Sequence, residues 1–317
     1  MAKHKFPKML KESPKTGVLL RDMSSEEYHS TEDTYSSSQF KDLLDDEDIF
    51  IQKYILKTIP REVIPAFDVG SYFHTGILEP HKLSQDCVVF EGKVRRGSAW
   101  DKFKSENEGR TIVSQSQVDS AEKLIEAVQN SPVAMHYIKR AEPEVSLFQK
   151  IKVYQGLIYA SQYGKMLDKR LGWISAEVPK QGVEFVVKVR ADSLGDLFIL
   201  DLKSTTGNAK SASSMGEKIK YYNYDLSASL YLDMFSLVKG KQLNTFIWTF
   251  ASKDFGNAKS YRASDDNILV GRAKYMGALL KLAYLIENGW QTYDSLGVLE
   301  PSYSELHYLK EKETDLI

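Results

Sequence analysis

The sequence predicts an α/β domain entered through a helical approach, and three observations carry that expectation. Over roughly the first 140 residues, hydroxyl-led starts precede apolar residues at helical spacing. From Phe185 the period shortens to β-rich runs, and from Ser264 helical spacing returns over a long stretch. Helices, a sheet and more helices in that order suit one domain with a packed sheet.

The elements follow in order. Ser24-Ser25-Glu26-Glu27-Tyr28 and Ser36-Ser37-Ser38-Gln39-Phe40 read as helix starts, each with a hydroxyl able to cap exposed amides. Val69–Leu78 is a short helix ended by Pro80, and Val118–Val128 another, with Leu124, Ile125 and Val128 on one stripe. Phe185–Arg190 and Leu197–Leu200 are strands joined across Gly195-Asp196, a pair suited to a tight hairpin. Lys220–Leu237 is helical, Asn244–Phe250 is a strand, and Ser264 caps a long amphipathic helix closed by Gly289. The expected division is a flexible basic arm over 1–22 and a single domain over 23–317. Within it 23–140 is mainly helical, 141–262 holds the sheet, and 263–317 holds the last helices.

Composition describes a globular chain: 317 residues, 42% hydrophobic and 27% charged, which excludes disorder and fibre. A net charge of -1 gives no whole-molecule field toward nucleic acid or acidic lipid. That balance conceals segregation. Residues 1–20 carry five Lys against one Glu, and 21–50 carry ten acids against Arg21 and Lys41, which leaves 51–317 at +3. The run Asp42, Asp45, Asp46, Glu47, Asp48 lacks the mid-loop Gly of a Ca²⁺ loop and reads as a solvated helix face or loop. The single Cys87 excludes a disulfide framework or a four-thiolate cluster within one chain. No apolar leader, membrane span or Walker-type loop stands out, so a cytoplasmic protein without ATP-driven chemistry is expected.

The chemistry gathers at the hairpin. With Gly195-Asp196 as a two-residue loop, Leu194 pairs with Leu197, Asp192 lies opposite Ile199, and Arg190 opposite Asp201. Asp192, Asp201, Lys203 and Arg190 then project from one face, while Phe198, Leu200 and Leu202 form an apolar opposite face. Paired carboxylates suit a hard, oxygen-seeking Mg²⁺, and a lysine two residues on reaches the same water or phosphate as a point charge, or as a proton acceptor if its pKa is lowered. Two acids and a lysine also occur on ordinary salt-bridged surface hairpins. What distinguishes this set is that Asp201 follows four consecutive apolar residues, where a buried carboxylate needs a partner.

Arg190-Ala191-Asp192 followed by Ile199-Leu200-Asp201-Leu202-Lys203-Ser204-Thr205 resembles the signature of the PD-(D/E)XK nuclease superfamily, and within it the exodeoxyribonuclease VIII (RecE-like) group. Val69-Gly70-Ser71-Tyr72-Phe73-His74, with Leu78-Glu79-Pro80 after it, is similar to that group's Gly-x-x-x-His helix. Met23–His29, Glu144-Val145-Ser146 and Glu287-Asn288-Gly289-Trp290 complete an ordered likeness from about Met23 to Tyr293. The resemblance implies a restriction-endonuclease-like core, a central mixed β-sheet flanked by helices, with an N-terminal helical extension. It also implies that Asp192 and Asp201 bind Mg²⁺ (or Mn²⁺), that the Leu202 carbonyl adds a ligand, and that Lys203 assists the attacking water. His74 would bind or orient near a second metal, and Glu144 would be an accessory acid. The implied activity is a metal-dependent DNA exonuclease that resects linear duplex from the 5′ end in phage recombination or repair. An annealing protein as partner and a homo-oligomeric ring come with it.

Three departures qualify the likeness. Ala191 stands where the group has Pro; Ser227 replaces a Gln four residues before Tyr231; and Gln149–Gln181 is a longer connection than usual, read here as an extra amphipathic cover. Arg190, Ser227, Tyr231 and Lys220 are the candidate DNA contacts. Lys210, Lys218, Lys220, Tyr221, Tyr222 and Tyr224 interleave base and aromatic as single-strand grooves do, and Lys93, Arg95, Arg96, Lys102 and Lys104 form a second basic patch. Two other readings stay open. One is a RecB-like nuclease subunit; the other is a DNA-binding recombination accessory protein that has lost turnover.

Overall fold

The computed structural model describes residues 15–60, 65–92 and 94–291. The helical approach comprises β1 (Leu19–Leu20), α1 (Ser25–Ser30), β2 (Thr34–Ser36), α2 (Ser37–Asp45), α3 (Glu47–Phe50), α4 (Pro65–Leu78) and α5 (Leu83–Asp86). After it come β3 (Cys87–Val89), α6 (Ser98–Glu106), β4 (Thr111–Val113), α7 (Gln115–Gln129) and α8 (Pro132–Ile138). The expected caps form. Ser24 Oγ accepts the Glu27 amide at 3.1 Å and Glu27 returns a bond to the Ser24 amide at 2.8 Å. Residues 1–14 of the expected arm lie outside the described residues. The rest of that stretch lies on the sheet, with Leu19 opposite Leu147 and the Gly17 amide bonded to the Phe148 carbonyl.

The sheet is built from β5 (Glu142–Tyr154), β6 (Leu157–Ala160), β7 (Lys165–Asp168), β8 (Gly172–Ser175), β9 (Val183–Leu194) and β10 (Phe198–Thr205). Two helices, α9 (Ala212–Tyr221) and α10 (Tyr224–Lys239), precede β11 (Thr245–Ser252), β12 (Asn257–Arg262) and α11 (Asp265–Glu287). Strand order is β12-β11-β10-β9-β5-β6-β7-β8, with β10 and β11 parallel and the other pairs on this path antiparallel. This is the expected mixed sheet flanked by helices. The 149–181 segment is more than a cover: residues 149–175 extend the sheet as an antiparallel meander.

Two apolar clusters sandwich the sheet. On one side Leu226, Leu230, Tyr275 and Leu279 of α10 and α11 pack with Phe40, Leu43, Val187, Val189 and Ile199. On the other, Phe73 and Ile77 of α4 and Leu124 and Val128 of α7 pack against Leu200, Leu202 and Ile247. Residues 199 and 200 thus enter different cores, as alternation along a strand requires. Among the described residues, no helix is long and apolar enough to cross a membrane.

The hairpin differs from expectation by one residue at its turn. Leu194 pairs with Ile199, Ser193 with Leu200, and the Gly195 amide bonds the Phe198 carbonyl, so Asp196-Leu197 forms the loop. Sliding the turn by one moves each cross-strand partner by two, which keeps Asp192 with Asp201 and Lys203. The grouping of Asp192, Asp201 and Lys203 therefore survives the altered register. Arg190 does not share their face as expected: Val189 and Ala191 enter the same core as Ile199, so Arg190 between them projects from the opposite side of the sheet.

Candidate active site

The ladder between β9 and β10 records no pair beyond Ser193–Leu200, and a side chain takes its place: Asp192 Oδ2 accepts the Leu202 amide at 2.7 Å. This opening lets a helix from the other side of the sheet reach the strand acids. His74, on α4, brings Nδ1 to 3.5 Å from Asp192 Oδ2. Gly76 lets α4 pack closely on α7, because a Cβ there would lie 2.4 Å from Ile125 Cδ1.

Glu144 arrives from β5, whose pairs with β9 run Pro143–Ser193 and Val145–Ala191, leaving Glu144 level with Asp192. Its backbone is left-handed, φ +52°, an unusual state for a non-glycine residue inside a strand. Arg190 Nε donates to Glu144 Oε2 at 2.5 Å and Arg190 Nη1 to the Met23 carbonyl at 3.1 Å, while the Tyr28 ring lies 5.8 Å from the guanidinium. The Met23–His29 motif thus braces Arg190, which in turn holds Glu144. His74, Glu144 and Asp192 each offer a ligand atom, all within 4.8 Å of one another. Asp201 lies alongside, its Oδ2 2.5 Å from Lys203 Nζ, and Lys203 also donates to the Leu202 carbonyl at 3.3 Å.

The electrostatics of this cluster call for added positive charge. Burial and the neighbouring Asp201 push the Asp192 carboxyl up to about 7, against the pull of Lys203 and the Leu202 amide. Burial and Asp192 likewise raise Glu144 despite Arg190 and His74. Burial lowers His74, leaving a neutral imidazole suited to ligation. Lys203 moves the other way: burial opposes its charge, but Asp201 and Asp192 outweigh it and hold it above the ordinary lysine range. It is a fixed ammonium here, so of the two roles open to this lysine the geometry supports the point charge. Carboxyls raised by burial and by a neighbouring acid, beside a neutral imidazole and a backbone carbonyl, fit a divalent cation.

The remaining candidates are spread more widely. Ser227 shares a face of α10 with Tyr224 and Tyr231. The Tyr231 hydroxyl lies 3.4 Å from Ser37 Oγ, and burial, with Asp201 and Asp192 nearby, pushes it up to about 12. Lys220 is exposed at the end of α9. In the second basic patch Lys93 lies outside the described residues, and Arg95 is engaged by Asp68 at 2.7 Å and by Gln117 and the Ile112 carbonyl at 2.6 Å each. Burial raises the Cys87 thiol to about 11, as for an inert core cysteine.

Lys41 is the residue that sequence reasoning passed over. It was one of two cations in an acidic segment, yet its Nζ lies 5.2 Å from the centre of the Tyr224 ring, whose centre is 5.1 Å from Lys203 Nζ. Burial and Lys203 lower Lys41 to about 8. The signal that was present is its position, one residue after Phe40 and two before Leu43, the apolar residues that α2 buries.

A family described as a PDDEXK-like domain of unknown function (DUF3799) matches residues 36–157 and 175–292. No curated protein matches the chain. Among solved structures, a candidate exonuclease from Eubacterium rectale shares the fold at a TM-score of 0.54 and 16% identity, covering 90% of this chain and 98% of its own. Rai1 from Scheffersomyces stipitis, at a TM-score of 0.23 and 10% identity over 86% of this chain and 76% of its own, is too distant to bear on the fold.

Proposed function

The chain belongs to the PDDEXK-like domain family, and from that premise we propose that it is a divalent-metal-dependent nuclease that hydrolyses phosphodiester bonds in DNA. The observation that carries the reading is the convergence of His74, Glu144 and Asp192 within 4.8 Å, with the Asp201–Lys203 pair beside them. Asp192, Glu144, His74 and the Leu202 carbonyl would hold Mg²⁺ or Mn²⁺, with Asp201 on its border. Such an ion, when bound, polarises the phosphate and lowers the pKa of water.

The residues do the rest by position. Arg190 fixes the Glu144 carboxylate, and the Leu202 amide fixes that of Asp192. Lys203 sets an ammonium beside Asp201, where it offsets charge developing on the phosphate and orients a water between carboxylate and phosphorus. No covalent intermediate is required. The finer activity we assign is exonucleolytic resection of linear duplex from the 5′ end, supported by the ordered motifs around His74, Asp192, Asp201 and Lys203.

End-labelled linear duplex, circular DNA and single strands, incubated with Mg²⁺ or with EDTA, test the proposal. Linear duplex should be degraded only with the metal, and Lys203→Ala should slow cleavage by at least about a hundredfold while preserving the far-ultraviolet circular dichroism spectrum. Full Mg²⁺-dependent activity in Lys203→Ala would refute the mechanism.

A further inference from the structure

Beyond the metal site, three tyrosines lead outward from Lys203. Tyr224 opens α10; Tyr222 stacks on it with ring centres 5.4 Å apart and planes 23° apart; Tyr221 meets Tyr222 edge-on at 4.8 Å. Tyr221 is 78% exposed and Tyr222 48%. Scattered exposed aromatics are ordinary, but an exposed pair continuous with a ring at a catalytic lysine is not.

The local backbone sets this display. Lys220–Leu237 does not form the single helix its spacing predicts, because Asn223 takes a left-handed conformation, φ +49°, between α9 and α10. Lys274 secures the break, donating to Asn223 Oδ1 at 2.8 Å and to both Asp225 oxygens at 3.0 and 2.8 Å. The tyrosines are thereby held in place before any ligand arrives. Lys218 lies one helical turn before Tyr221 and Tyr222, and Lys220 is adjacent to them. At the inner end Lys41 and Lys203 both face the Tyr224 ring. Among the described residues Lys41 has no carboxylate within ion-pair distance, so its charge is directed at the site rather than at a partner.

We propose that the α9–α10 break is a track for single-stranded DNA: bases stack on Tyr221 and Tyr222, and the backbone enters the metal site between Lys41 and Lys203. The ligand class follows from the chemistry. Stacked rings flanked by ammonium groups suit unpaired bases with phosphates alongside, whereas in a duplex the base faces are covered by their neighbours. The track rests on the nuclease reading for its purpose, but its binding is measured without cleavage.

The test is fluorescence anisotropy with a labelled dT oligonucleotide in EDTA, against a closed duplex, a covalently closed circle without unpaired bases. Wild-type protein should prefer the oligonucleotide. Tyr222→Ala should weaken oligonucleotide binding by about tenfold, Tyr222→Trp should restore it, and Lys41→Ala should weaken it and make the salt dependence shallower. The closed duplex should respond to none of these changes. Tyr222 is exposed, and thermal melting shows whether its variants are folded. The proposal is overturned if wild-type protein does not bind dT, if Tyr222→Ala binds as wild type, or if Tyr222→Trp loses as much as Tyr222→Ala. An equal loss on the closed duplex would overturn it too. Cleavage with Mg²⁺ is read separately: degradation together with unchanged dT binding in Tyr222→Ala leaves the nuclease and removes the track. Stacking without degradation does the reverse.

Discussion

At Asp192 the requirements of the site oppose those of stability. In the unfolded chain its carboxyl titrates near its ordinary value of 3.8; in the folded protein burial and Asp201 bring it to about 7. Between those values the folded state holds a proton that the unfolded state releases. Stability from this group is therefore present at low pH and declines as pH rises toward 7. Asp192→Asn removes the ionisation while its side-chain oxygen can still accept the Leu202 amide. Metal-free Asp192→Asn should thus melt several degrees above wild type at pH 8, each kcal/mol moving a domain of this size by roughly 2–4 °C. The gap should narrow by pH 5 and close only as pH falls toward 3.8. On the proposed metal reading, Mg²⁺ or Mn²⁺ should raise the wild-type midpoint at pH 8 and leave the variant unmoved, since an ion stabilises only the state that binds it. Scanning calorimetry at both pH values, with metal and with EDTA, checks both effects. A variant that melts below wild type at pH 8 would show that burial and Asp201 do not disfavour the Asp192 carboxylate.

Helix α10 carries Tyr224, Ser227 and Tyr231 toward the site, and a network on its other side decides where it sits. Arg272 of α11 makes paired bonds to the buried Asp233 at 2.7 and 2.9 Å, the Tyr275 hydroxyl donates to the same carboxylate at 2.5 Å, and Trp173 Nε1 reaches the Asp233 carbonyl at 3.1 Å. Arg272 also donates to the Lys169 and Arg170 carbonyls at 3.2 Å each, tying the β7–β8 turn to the helix pair. Arg272→Ala would leave Asp233 buried and unpaired, at a cost of about 3–5 kcal/mol in urea unfolding. Replacing both partners by leucine should recover most of that loss. Where the two helices cross, a Cβ on Gly271 would lie 2.0 Å from the Asp225 carbonyl oxygen, so Gly271→Ala should destabilise the protein by forcing α11 away from α10. At this scale the sequence is legible where one element explains its own residues. The Ser264 cap, the α7 stripe and the apolar runs of β9, β10 and β11 are of that kind, and so is the face shared by Asp192, Asp201 and Lys203. It is illegible where meaning comes from a distant partner. Asp233 and Arg272 lie 39 residues apart without a pattern, and the left-handed Asn223 depends on Lys274. The meander from β6 to β8 is hidden because its strands are only four residues long, too short to show a period.

Across the whole molecule, a net charge of -1 and an acidic centre mean that DNA is not drawn in by a general field. Glu144, Asp192 and Asp201 together repel a phosphate unless positive charge joins Lys203 and Arg190 among them. DNA binding and metal binding should therefore be linked. In the slow-cleaving Lys203→Ala background, removing Mg²⁺ with EDTA should weaken affinity for linear duplex ends by about tenfold or more, while affinity for a closed duplex should change little. The salt response separates a local path from a broad cationic face. Each phosphate neutralised on a single strand contributes about -0.7 to the slope of log affinity against log salt. A path bounded by a few cations such as Lys41, Lys218 and Lys220 predicts a slope of about -2, read by titrating salt against the labelled dT oligonucleotide. A slope of about -8 would mean that many more phosphates are held than this path can reach, and would place the contact on a surface elsewhere. The acids of residues 21–50 give that outcome little room. Asp42 pairs with Lys53 at 3.1 Å and Glu47 with Lys281 at 2.7 Å, so part of the positive charge elsewhere is already held within the fold.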